Sequence, residues 1–259
     1  MKWIVPLFLL WPLGVAAFDH GHARLAGVLD RFVADGAVDY AGLAADRRQL
    51  DGYLEDMAAP SASEFGSWGR NQQLAYWLNL YNAAVLHTVI DHYPIRGRTF
   101  RGLGKPRNSI WQIPGVWKKI LHRGPGGRRL SLDQIEHDII RPEFREPRIH
   151  FALVCAARGC PVLRDEPYRA DRLEQQLEQQ TRAFLQQANG AQVGESNVAV
   201  SRIFKWFSED FSADEFACGT GRHAGVLGFV ARYRELACDP GGAPDLDYLD
   251  YDWRLNDIE

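Results

Sequence analysis

Apolar residues recur at three- and four-residue spacing through residues 70–93. Leu74, Trp77, Leu78, Tyr81, Val85 and Val89 form one broad face, and Leu86 and Ile90 widen it. Little of the circumference is left for water, so the pattern predicts a buried helix. Asn79 and Asn82 lie beside Leu86 and Ile90 and point inward. A buried amide costs free energy unless it is paired, so each bonds nearby backbone or orients a catalytic group or ligand.

Upstream, residues 24–58 read as helices broken by a turn at Asp35-Gly36 and a short extended piece at Val38-Asp39-Tyr40, followed by a polar linker, 60–69. Ser131 opens a further helix with Gln134 as its capping-box partner, and Pro142 ends it. At roughly 100° per residue, Glu136 falls between Leu132 and Ile140 on the apolar face, where an unpaired charge would be costly. Residues 148–155 alternate as a strand: Ile149, Phe151, Leu153 and Cys155 on one face, His150, Ala152 and Val154 on the other. Both faces are mostly apolar, which predicts a strand inside a sheet. Helices are expected at 170–188 and 223–237, another strand at 197–204, and a hairpin turning at Gly124-Pro125-Gly126-Gly127. The expected fold class is α+β: a helix-rich single domain with a small central β-sheet packed against a buried helix.

The chain has 259 residues, 46% of them hydrophobic, and a formal net charge of −3, which excludes collagen-like, disordered and multi-span membrane classes. The near-neutral balance gives no global reason to bind nucleic acid. The average conceals a local asymmetry. Residues 94–129 carry ten Lys or Arg and no acid, with Phe100, Trp111 and Trp117 interleaved, whereas residues 239–259 hold seven acids and one base. The stretch Gly102-Leu103-Gly104-Lys105-Pro106 lacks the spacing of a phosphate loop, and no cofactor is expected.

The N-terminal seventeen residues stand apart. Lys2 is their only charge, and the apolar run from Trp3 to Ala17 is 15 residues, short of the roughly 20 that a membrane-spanning helix needs. Val15-Ala16-Ala17 supplies small residues for signal-peptidase cleavage. The reading is a signal peptide at 1–17 and one globular domain at 18–259, periplasmic or secreted, with no transmembrane segment in the mature chain. Cys155, Cys160, Cys218 and Cys238 make an even set, which in an oxidising compartment favours disulfides. The simplest pairing is 155–160 and 218–238. A reactive thiol at Cys155 or Cys160 is the alternative.

Several stretches together resemble the family known as domain of unknown function 547. They are Asp35 to Tyr40, Trp77 to Ala83, Leu130 to His137, Arg148 to Cys155, Cys160 to Leu163, Ile203 to Phe207 and Tyr251 to Asn256. The resemblance spans nearly the whole mature chain but implies little chemistry, and Cys218 and Cys238 are additions to its pattern.

The candidate site joins Glu136, His150, Cys155 or Cys160, Asn79 and Asn82, the residue types of a thiol hydrolase. A regular strand opposes a direct dyad, because His150 and Cys155 would have opposite parity and lie roughly 16 Å apart. The order of His before Cys also departs from papain-like and transglutaminase-like enzymes. Two functions follow: a thiol-dependent hydrolase or transferase acting on an envelope component, or a non-catalytic binding or assembly module using segment 94–129. The partner would be an anionic envelope polymer, a headgroup or an acidic protein, unless the acidic tail folds over the segment and neutralises it. No dedicated metal site is expected, because His20, His22 and the Glu136-His137 pair lack ligand spacing.

Overall fold

The computed structural model describes residues 17–98, 104–194, 197–212, 216–238 and 244–258. Of the signal-peptide stretch all but Ala17 lies outside these residues, as do Phe100, Arg101, Asp239 and Glu259.

The fold is α+β and helix-rich. Helix α1 (Ala23–Phe32) runs into a hairpin of β1 (Val33–Ala34) and β2 (Ala37–Val38). Asp35 and Gly36 turn it with φ of 50° and 80°, the left-handed pair that a two-residue hairpin requires. A side chain at Gly36 would also strike Val162. Helices α2 (Tyr40–Ala45) and α3 (Arg48–Ala58) follow. The expected linker holds one short helix, α4 (Ala62–Gly66), because Ser61 Oγ accepts the Glu64 N–H and caps it.

Helix α5 (Arg70–Ile90) is the axis of the molecule, with 16 of its 21 residues buried. It packs on α2, α3 and a π-helical segment at Gln134–Ile140. Strands β3 (Leu121–Arg123) and β4 (Arg129–Ser131) form the expected hairpin. The capping box at Ser131 is present: its N–H donates to Gln134 Oε1 at 3.0 Å and its Oγ accepts the Gln134 N–H at 3.2 Å. Pro142 does not end the helical run. The run passes from the π-helical segment directly into α6 (Arg141–Phe144), with Ile140 and Arg141 both helical.

The strand expected at 148–155 is instead a single helical turn, α7 (Ile149–Ala152), leaving into extended chain at Leu153. Residues 149–154 are buried on all sides, so the alternation recorded no solvent face. Asn82 fixes the exit from the turn: its Nδ2 donates to Ala152 O and its Oδ1 accepts the Val154 N–H, both at 2.9 Å. The three-stranded sheet therefore lies elsewhere, over the second apolar cluster, while the β3–β4 hairpin reaches α5 through His122 and Thr88. Helix α8 (Leu173–Gln186) leads into β5 (Ala191–Val193) and β6 (Asn197–Val200), which pair antiparallel. Beyond α9 (Ile203–Trp206) and α10 (Ala224–Ala231), strand β7 (Asp245–Tyr248) returns to pair parallel with β6. The expected strand at 197–204 thus ends early and turns into α9.

Apolar side chains gather in two clusters. The first centres on α1, α3 and α5; the second collects Phe151, Phe184, Phe204, Phe211, Phe216 and Phe229 beneath the three-stranded sheet. Tyr251 packs against both. Among the described residues, no helix is long and apolar enough to cross a membrane.

Candidate functional site

A cleft of about 600 Å³ is lined by residues of both clusters. Its walls come from six parts of the chain. Tyr81 of α5 and Glu136 of the π-helical segment form one side, where the Tyr81 hydroxyl donates to Glu136 Oε2 at 3.0 Å. Burial, reinforced by the neighbouring Glu136 charge, pushes the Tyr81 phenol far above its ordinary range, so it remains a donor. Π-helical turns are uncommon and recur at functional sites, and this one presents the half-buried Glu136 to the cleft.

Segment 94–129 supplies Lys105, Trp111, Trp117 and Lys118. Trp206 and Phe207 at the end of α9, and Tyr251 and Trp253 from the chain after β7, also line the cleft. Lys105 Nζ lies 3.9 Å from the Trp253 ring centre and 5.4 Å from that of Trp111. Trp111 and Trp206 keep 44% and 45% of their surfaces exposed. The acidic tail does cover the basic segment, but with backbone and rings. Leu255 N–H donates to Asn108 O at 2.7 Å, while the tail acids Asp250 and Asp252 pair with Arg202 and Arg254.

The sulfurs of Cys155 and Cys160 are bonded at 2.04 Å and line the cleft; Cys218 and Cys238 form the second bridge at 2.05 Å. Neither sulfur of the cleft pair is therefore a free thiol in this state. The loop between them is held by the tail: Arg158 N–H donates to Arg254 O and Gly159 N–H to Asp252 O, each at 2.8 Å. Gly159 has no alternative here, because a Cβ would lie 2.8 Å from the Asp252 nitrogen. The Tyr251 hydroxyl sits 3.1 Å from Cys160 Sγ and 3.3 Å from Cys155 Sγ.

His150 is only 3% exposed, stacks on Phe207 with ring centres 4.0 Å apart, and places Nε2 2.6 Å from Asp210 Oδ2. Arg141 grips the same carboxylate through Nε at 2.6 Å and a second nitrogen at 3.1 Å. Burial alone would raise the Asp210 carboxyl. The hydrogen bonds from His150 and Arg141 outweigh it and hold the group well below the usual carboxylate range.

Four of the residues singled out from the sequence, Glu136, His150, Cys155 and Cys160, line this one cleft. Because 148–155 is not a strand, the expected separation of His150 from Cys155 no longer applies. Asn79 and Asn82 lie behind the wall and spend both ends of their amides on backbone: Asn79 on Tyr168 N–H and O, Asn82 on Ala152 O and Val154 N–H. Sequence reasoning alone does not reach Tyr81, Asp210, Trp206, Tyr251 and Trp253 as site residues. All except Asp210 fall in stretches that carry the resemblance; Asp210 had no local signal.

A model of the family described as protein of unknown function, DUF547, matches residues 65–185. The match contains Tyr81, Glu136, His150 and both cleft cysteines; Asp210, Tyr251 and Trp253 lie beyond it. No curated protein and no solved structure matches the chain.

Proposed function

We propose, for a chain that belongs through residues 65–185 to the DUF547 family, that the cleft binds a carboxylate-bearing saccharide of the kind found in envelope polymers. The observation that carries this reading is the Lys105 ammonium standing between Trp253 and Trp111 beside further tryptophan surface. Tryptophan faces bury the apolar side of a sugar ring, Lys105 meets its carboxylate, and the Glu136 oxygen not bonded to Tyr81 accepts a hydroxyl. Segment 94–129 thereby acts through its aromatic wall as well as its charge. The protein works in an exported, oxidising compartment after cleavage near Ala17, which the two disulfides support.

Tryptophan fluorescence titrated with a galacturonate oligomer tests the binding. Saturable quenching is expected, several-fold weaker at about 0.5 M than at about 0.05 M salt, and lost in Trp253→Ala. Equal affinity for neutral chitotetraose without salt dependence would reject it. Anionic lipid vesicles and an acidic protein serve as competing ligands, and preference for either also rejects it.

A second reading, thiol-dependent hydrolysis or transfer, is favoured by the ionised Asp210 that holds His150 at the cleft wall. It requires the Cys155–Cys160 bond to be open. Turnover of an envelope glycopeptide by reduced but not oxidised protein would support it, and equal inactivity of both forms would remove it.

A further inference from the structure

Cys155 and Cys160 occupy unlike environments. Cys155 is half-buried at the cleft, whereas Cys160 is 4% exposed. Two donors converge on Cys160 Sγ: the Cys155 backbone N–H at 3.0 Å and the Tyr251 hydroxyl at 3.1 Å. A disulfide sulfur is a weak acceptor and gains little from them. A thiolate would gain much more, because hydrogen bonds to an ionised group are about twice as strong as neutral ones. A thiolate on Cys160 would thus have two donors in reach, whereas Cys155 Sγ has only the same Tyr251 hydroxyl, at 3.3 Å.

We infer that the Cys155–Cys160 bond is a thiol–disulfide exchange site, in which an incoming thiolate attacks Cys155 Sγ and Cys160 departs as the stabilised thiolate. This goes beyond the saccharide reading and does not depend on it. In the first step a bond forms between the incoming sulfur and Cys155 Sγ. The Cys155–Cys160 bond breaks, and its electron pair leaves on Cys160. A second thiolate then attacks the incoming sulfur, releasing Cys155 as a thiolate and the reductant as its own disulfide. Two electrons pass from the thiol reagent to the protein. Exchange is faster when the leaving thiol is the more acidic one and the attacked sulfur the more accessible. Burial keeps the Tyr251 phenol protonated and hence a donor throughout. Of the charged groups lining the same cleft, Glu136 and Asp133 oppose a thiolate; Lys105 and Lys118 favour it, as do His137 and His150 when protonated.

The second disulfide makes the inference sharp. Cys238 is exposed, so access alone would have Cys218–Cys238 open first. Its leaving group, however, would be Cys218, 1% exposed in the phenylalanine cluster, where an apolar setting disfavours a thiolate.

The experiment treats the oxidised, full-length protein with glutathione, quenches with N-ethylmaleimide and maps the adducts by mass spectrometry. The expected early product carries glutathione on Cys155 and maleimide on Cys160, with Cys218–Cys238 intact. Tyr251→Phe keeps the ring and should slow this opening about tenfold. Earlier opening of Cys218–Cys238, glutathione on Cys160, or an unchanged rate in Tyr251→Phe would overturn the inference. An independent check compares Cys155→Ser with Cys160→Ser by ultraviolet thiolate absorbance at pH 7. More thiolate in Cys155→Ser is expected, and the reverse order overturns the assignment of the leaving group.

Discussion

Cys218–Cys238 spans 20 residues and ties the phenylalanine cluster, whereas Cys155–Cys160 spans five and forms part of the cleft wall. The same covalent bond does different work at the two places. The longer loop restricts the unfolded chain more, and on the chain-entropy model stabilises by roughly 3 kcal/mol against roughly 2 kcal/mol for the shorter. The shorter loop has a shape to keep. It carries Gly159 against the tail and Ala156 at a left-handed φ of 56°, and through Tyr251 it touches the residues that line the cleft. On that model the longer bridge contributes somewhat more to stability, and only the shorter one lines the cleft.

The largest effect expected from a single substitution lies one step upstream of the cleft loop. Asn82→Leu would leave Ala152 O and Val154 N–H buried without partners and should cost about 4 kcal/mol, measured by urea unfolding. A loss under about 1 kcal/mol would mean that the chain entering the cleft loop is fixed by something else.

Replacing both cysteines of each bridge by serine breaks the comparison directly. The Cys218/Cys238 pair should lose roughly 3 kcal/mol with saccharide binding unchanged, and the Cys155/Cys160 pair roughly 2 kcal/mol with binding weakened. Binding lost in the first pair and kept in the second would invert the division of roles.

Acid separates the two clusters further. Burial lowers His22 and His122 to about 4, and both sit against the first cluster through Tyr53 and Thr88. A folded pKa below the unfolded value of about 6.5 contributes stability that is full above pH 6.5 and is lost as pH falls through about 4. Amide exchange should therefore quicken in α3 and α5 before α10 as pH falls from 6.5 to 4. The opposite order would contradict this cause.

The smallest effect concerns Tyr81→Phe. It removes one hydrogen bond to Glu136 and should cost about 1 kcal/mol in thermal unfolding.

Much of this arrangement was legible in the pattern of residues. The period of α5 needed only its own side chains, and the Ser131–Gln134 box needed only four consecutive residues. Residues 148–155 misled because the buried run 149–154 satisfies a strand and a helical turn equally well. Asn82, about seventy residues away, decides between them by bridging Ala152 and Val154. Glu136 could be singled out because a carboxylate on an apolar face demands a partner, though not which one. Asp210 could not, since its role depends on His150 and Arg141 reaching it across 60 and 69 positions of chain. Lys105, Trp111 and Trp117 were visible as a basic aromatic segment. That they share a cleft with Glu136 and the cysteines depends on long-range contacts, such as Leu255 N–H to Asn108 O and Asp133 N–H to Trp117 O, which no local pattern encodes.

Ligand binding in the cleft is tested most directly by the indole N–H signals in a nuclear magnetic resonance titration. Adding a galacturonate oligomer should shift the signals of Trp111, Trp117, Trp206 and Trp253, which line the cleft, and leave those of Trp68 and Trp77 unmoved. Shifts at Trp68 or Trp77 with the four cleft signals unchanged, or no shift at any indole, would contradict it.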